Sequence, residues 1–371
     1  MINWRDGVVR SLGRSWPGSL ELEVDIEGGP SGIRALAYPE LVGSPEVGDR
    51  VIVTTSALTR GLGTGGYALV AALPDRLPPD PPAGPGHIVK ARYTPLQTMV
   101  LGVDEQESAH HELLRDADDL AGLPVVVADL HSALPAIVAG ARLEAARAGL
   151  VTPRVAYVMT DGGALPAWFS RTIGALRESG WVSATITVGQ SFGGDFEAVT
   201  VHTGLLAAAL VVEADLVVVA QGPGNLGTGT RWGFSGVSAG EAVNATAVLG
   251  GRPVASLRVS GSDARERHLG ISHHSLTAYG RVALAPADVA VPVFDGDLAP
   301  LGARVDEQAA LLETAPAGHR LVRIGTEGLL PALAATPVRL STMGRGLEED
   351  PASFLAAGAA GVHALRMAAG S

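Results

Sequence analysis

The feature that most constrains the fold is a rhythm. From His87 onward, short apolar, β-rich runs alternate with alanine-rich runs of helical length. "PVVVADLHS" (124–132) leads into an expected helix near 135–148, and "RVAYVMTDGG" (154–163) into one near 166–178. "VSATITVGQSFGGDFE" (182–197) precedes a helix ending near Val212. "DLVVVAQGPGN" (215–225) precedes, after a glycine-rich loop, a helix near 240–249. "PVASLRVSGSDARERH" (253–268) continues the series, which "RLVRIG" (320–325) and "PVRLSTMG" (337–344) repeat more weakly. Strands buried on both faces read as continuous apolar runs. The alternation therefore predicts an α/β fold, a mostly parallel sheet with helices on both faces.

The first part of the chain reads differently. "SLELEVDIEG" (19–28) alternates with period two, and "DRVIVTT" (49–55) and "YALVAAL" (67–73) follow at close spacing. Short, closely spaced strands predict a small N-terminal β-barrel or β-sandwich over 1–75. The proline-dense stretch "LPDRLPPDPPAGPG" (73–86) reads as a stiff linker over 76–86, ahead of an α/β domain at 87–371. On that boundary, 87–371 is expected to fold without the β domain.

Composition narrows the function. The net charge of −11 argues against nucleic acid and anionic membrane as partners. No cysteine is present, which removes disulfides, thiolate metal sites and a cysteine nucleophile. With no secretory signal and no apolar run free of charge and long enough to span a bilayer, a cytoplasmic location is expected. The 27 basic residues include a single lysine, Lys90. Either it is the residue of chance in an arginine-biased chain, or its compact ammonium does what a planar guanidinium cannot. In the second case it clamps an anion, and Lys90→Arg weakens ligand binding without altering stability.

In open parallel sheets, ligands bind beyond the carboxyl ends of the strands. Asp129 and His131, Asp161, Asp195 and Glu197, Asn225, and then Asp263 and His268 all fall there. Beside them, "RHLGISHHS" (267–275) places three histidines in seven positions. One composite site accounts for the pattern. Asp129, His131, Asp161, Asp195, Glu197, His268, His273 and His274 are its candidate acid–base groups. The competing reading has His273 and His274 capping and packing a helix that starts near Ser272. Asp129, His131, Asp195 and His273 form a candidate ligand set for a divalent metal (Zn, Mn or Mg). Lys90, Gly162, Gly163, Gly222, Gly224, Asn225 and Arg267 are candidate anion contacts, the glycines through backbone N–H groups. Equally, "TDGGALP" (160–166) and "GPGNLG" (222–227) are tight turns in which Asp161 caps a helix.

Two familiar patterns fail. "GPGNLG" fits the glycines of a dinucleotide-binding turn, but "TGTRWGFSG" intervenes before any helix and the next strand ends in Ser260 without an acid. The order Asp-x-His, Gly-Asp, Gly-Asn resembles metallophosphoesterases, yet Leu226 follows Asn225 where that family has histidine.

Taken together, "GHIVKARYTPLQ", "DLHSALPA", "MTDGGALP", "GQSFGGDFEAV", "GPGNLGTGT", "RHLGISHHS" and the early "LGTGGY" resemble the bacterial family known as domain of unknown function 3866. The resemblance covers nearly the whole chain and implies no activity, so function is read from the residues. The first reading is a hydrolase-like enzyme for a small anionic substrate. The second is a non-catalytic ligand-binding or sensing protein that forms a homo-oligomer through its β domain.

Overall fold

In the computed structural model, residues 1–63 and 65–370 are described. Thr64, inside the first "LGTG", lies outside them. The chain divides into two compact units, Met1–Val100 with Trp168–Gly174, and Leu101–Ala167 with Ala175–Ser371.

The first unit is a closed barrel of β1 (Trp4–Trp16), β2 (Ser19–Ile26), β3 (Ile33–Ala37), β4 (Arg50–Thr54) and β5 (Ala68–Ala72), in the order β1-β2-β3-β5-β4. Period-two alternation sends Val9, Leu22, Val24, Val51, Val53 and Val70 inward, where each is at most 2% exposed. Closure removes the sheet edges that strands this short would otherwise expose. Trp168 and Phe169, far along the sequence, join a second cluster with Leu36, Tyr38 and Tyr67. The Trp168 carbonyl accepts hydrogen bonds from Trp16 Nε1 and Ser19 Oγ. Glu21 accepts from Tyr67, Arg34 and Arg171.

The second unit holds an eight-stranded sheet. Its strands are β6 (Pro124–Val127), β7 (Val155–Thr160), β8 (Ala184–Thr187), β9 (Phe196–Glu197), β10 (Leu216–Gln221), β11 (Arg252–Ser256), β12 (Asp288–Val293) and β13 (Arg320–Gly325). The order is β9-β8-β7-β10-β6-β11-β12-β13, and every neighbouring pair is parallel. The predicted parallel α/β sheet is therefore present. In β6 and β10 every residue is buried, as expected for strands covered on both faces.

One expectation changes, and one strand is unforeseen. "PVRLSTMG" supplies no sheet strand; Ser341–Thr342 only pairs with Arg345–Gly346 in a small hairpin. The sheet position falls instead to Asp288–Val293, whose Pro292 disguises it. Pro292 lies beyond the last pair with β11, Ser256↔Ala290, so no ladder bond is lost on that side.

Among the described residues, five longer helices flank the sheet: α1 (Leu134–Ala148), α2 (Val201–Leu210), α3 (Ser238–Val248), α4 (Ala299–Glu313) and α5 (Pro351–Ala369). Pro135 starts α1 where no N–H is needed, and Gly149 ends it in the left-handed conformation. α5 is long and apolar enough by composition to cross a membrane, yet most of it is buried, against α1 and the sheet. The chain leaves β6 towards β7 and leaves β11 towards β12, in opposite directions across the sheet. Right-handed crossovers then put the following helices on opposite faces and open a crevice between the carboxyl ends of β6 and β11.

Candidate functional site

A small cleft lies at that crevice. Asp129, just past β6, and Arg258, just past β11, line it together with Ser260, Asp263, Thr342 and Arg345. Asp129 is 3% exposed and its Oδ2 has no hydrogen-bond partner. Burial pushes its carboxyl up to about 6, against the opposing pull of Arg258. Its carbonyl is pinned by Gln221 Nε2 at 2.9 Å. The Arg258 guanidinium makes one hydrogen bond among the described residues, from Nη1 to His274 Nδ1 at 3.1 Å.

The cleft wall is neutralised internally. Asp263 accepts bidentate bonds from Arg265, both 2.9 Å, and a longer one from Arg345. Those bonds, led by Arg265, hold the Asp263 carboxyl well below its usual range. Asp350, fully buried, accepts from Ser260 Oγ, the Gly261 N–H and Arg345 Nε.

Arg258 also links the cleft to the histidine segment. The His268, His273 and His274 rings lie 4.9, 5.0 and 4.3 Å apart, centroid to centroid. Ser272, and not His273, caps the short helix His273–Thr277 by accepting from the His274 N–H, and its Oγ also meets His268 Nδ1 at 2.7 Å. Phe234, delivered by the glycine-rich loop after β10, stacks flat on His274 at 3.9 Å. Desolvation, reinforced by nearby arginines, lowers His268 to about 4 and His274 to about 3, and lowers His273 as well. All three imidazoles are neutral at pH 7.

The other candidates lie elsewhere. His131 is half-buried with Nδ1 on Tyr157 Oη at 3.0 Å, and desolvation of its ring lowers it to about 4. Asp161 receives the Gln190 N–H. Asp195 binds Arg177 and the Thr185 N–H, and Glu197 binds Thr187 Oγ1 and the Gly193 N–H, both at the β9 edge. That edge is four strands from β6, about 19 Å at sheet spacing. Asp129, His131, Asp195 and His273 are therefore not brought into one ligand set; His268, His273 and His274 converge instead.

Among the candidate anion contacts, Asn225 Oδ1 is occupied by Gln221 Nε2 and Ser235 Oγ. Gly163 and Gly222 pack chain against chain: a Cβ on Gly163 would sit 2.1 Å from the Gly222 carbonyl. Gly162 meets the Gln221 side chain in the same way, whereas Gly224 is open. Arg267 is exposed and depresses His273. Lys90 is 1% exposed and belongs to the barrel unit. Sequence reasoning misses Arg258, Arg345 and Asp350. The available signal is an arginine two residues past a buried strand, hidden in a chain rich in arginine.

The fold and cleft define a class: a doubly wound α/β protein with a charged cleft at its strand ends, accompanied by a closed five-stranded barrel. Within it, the chain belongs to the family described as "Protein of unknown function (DUF3866)", which matches residues 34–361. Comparison with curated proteins and with solved structures finds no match.

Proposed function

We propose that the protein is a hydrolase-like enzyme acting on a small anionic substrate in the cleft between β6 and β11. One observation carries the reading: the buried Asp129 carboxyl, its Oδ2 without a hydrogen-bond partner, beside an arginine whose guanidinium is largely unused. The remaining Arg258 N–H groups suit two oxygens of a carboxylate or phosphate. A carboxyl near pKa 6 is populated in both protonation states around neutrality, the condition for general acid–base work. An anion on Arg258 raises it further and favours the acid, which can then protonate a leaving group.

The test is a panel of small phosphomonoesters and carboxylic esters. Wild type is expected to release alcohol from at least one, and Asp129→Asn to bind that substrate without turning it over. Binding without turnover by the wild type would instead support the non-catalytic reading. No binding at all would remove both.

A further inference from the structure

We infer that His268, His273 and His274 hold one borderline transition-metal ion, and that its binding releases Arg258 from His274 so that metal and anion bind cooperatively. The coupling rests on the anion site proposed above; the metal site stands on its own residues.

One nitrogen from each imidazole lies within 4.8 Å of the other two, and His273 Nε2 is buried without any hydrogen bond. Ser272 Oγ lies 2.7 Å from His268 Nδ1; with Oγ accepting from Nδ1–H, the Nε2 lone pair is free for a metal. Three neutral imidazoles suit Zn²⁺, Co²⁺ or Ni²⁺ rather than Mg²⁺ and leave a fourth position open. Phe234 covers one side of the cluster.

The arginines oppose a cation, and the opposition has a specific form. Arg258 is always protonated, so its N–H donates to His274 Nδ1 and the His274 proton resides on Nε2. Ligation through Nε2 requires that proton to move to Nδ1, where it displaces the guanidinium. Arg258 is then free for an anion in the cleft, whose charge offsets that of the ion. Each ligand must tighten the other by the same factor.

Untagged full-length protein, stripped with a chelator, is titrated with Co²⁺, whose visible absorption reports tetrahedral coordination, with and without sulfate. Sulfate alone is titrated by calorimetry. Wild type is expected to take up one equivalent, bound about tenfold more tightly with sulfate. His273→Ala should lose the Co²⁺ spectrum while keeping the metal-free unfolding midpoint. His273→Gln serves if the alanine variant is unstable. Arg258→Gln should still bind Co²⁺ but lose the effect of sulfate. Folded wild type that binds neither Co²⁺ nor Zn²⁺ more tightly than about millimolar overturns the metal site. So does an unchanged Co²⁺ spectrum in the His273 variants. Equal Co²⁺ affinity with and without sulfate overturns the coupling. Sulfate binding to metal-free wild type leaves the anion reading standing even if the metal fails. Its absence in every arm removes the anion reading and the coupling together.

Discussion

Asp129 shows most directly how a single side chain sets the chemistry of the cleft. Its carboxyl moves from 3.8 to about 6, so the folded chain holds this proton more tightly than the unfolded chain does. The resulting penalty is absent below about pH 4, grows as pH rises through the interval to 6, and is complete above it. A shift of that size corresponds to on the order of 3 kcal/mol. Asp129→Asn is therefore expected to be more stable than wild type at pH 8 by on the order of 2–3 kcal/mol. Denaturant titrations should find that gap closing as pH falls towards 4, and a gap independent of pH would mean the carboxylate is well solvated. The histidines act in the opposite sense. With His131 and His268 lowered to about 4, both proteins lose stability as pH falls from 6.5 towards 4, and this cancels in the comparison. Lys90 is the second residue whose substitution discriminates. At 1% exposure it leaves no room for a longer, planar group, so Lys90→Arg should cost about 1–3 kcal/mol by overpacking. An unchanged melting temperature would restore the stability-neutral expectation.

Among the elements, α1 and α5 approach each other closely through glycines. A Cβ on Gly361 would lie 1.8 Å from the Ile137 carbonyl, and one on Gly140 1.9 Å from the Gly358 carbonyl. Gly361→Ala must separate two helices that are buried on the sheet, and a loss of about 3 kcal/mol is expected in denaturant titration. Gly302→Ala, on α4, is the control. Its Cβ would meet nothing closer than 3.4 Å, and helix propensity favours alanine there. Equal effects of the two substitutions would show that the α1–α5 contact yields easily. At this scale most of the sheet is legible in the sequence, because buried parallel strands such as β10, within "DLVVVA", carry no polar interruption. The strand Asp288–Val293 is not, because Pro292 is a strand breaker unless one knows which neighbour ends early. The histidine cluster is legible from its density, and Asp129 from its place after β6. Arg258 is not, since only tertiary burial separates it from the other arginines. Which carboxylates share a site depends on strand order, and for that reason the sequence alone groups Asp195 and Glu197 with Asp129.

For the whole molecule, the barrel unit takes in a segment from the middle of the α/β rhythm. Trp168 packs near Tyr38 with ring centroids 6.2 Å apart, Arg171 lies over the Trp16 ring, and Gly18 approaches the Trp168 indole. A fragment of residues 87–371 keeps every strand of the parallel sheet but strips Trp168 and Phe169 of their barrel partners. It is expected to retain its circular dichroism while self-associating more than the full chain in sedimentation. A monomeric fragment would show that these aromatics need no cover. The larger claim is that the cleft at the carboxyl ends of β6 and β11 holds a small anion on Arg258. The most direct measurement is calorimetric titration of wild type and Arg258→Gln, at pH 7, with small phosphates and carboxylates. At least one anion is predicted to bind the wild type and to lose about tenfold or more in affinity in the variant. Equal affinities in the two proteins, or no anion bound by either, would contradict it.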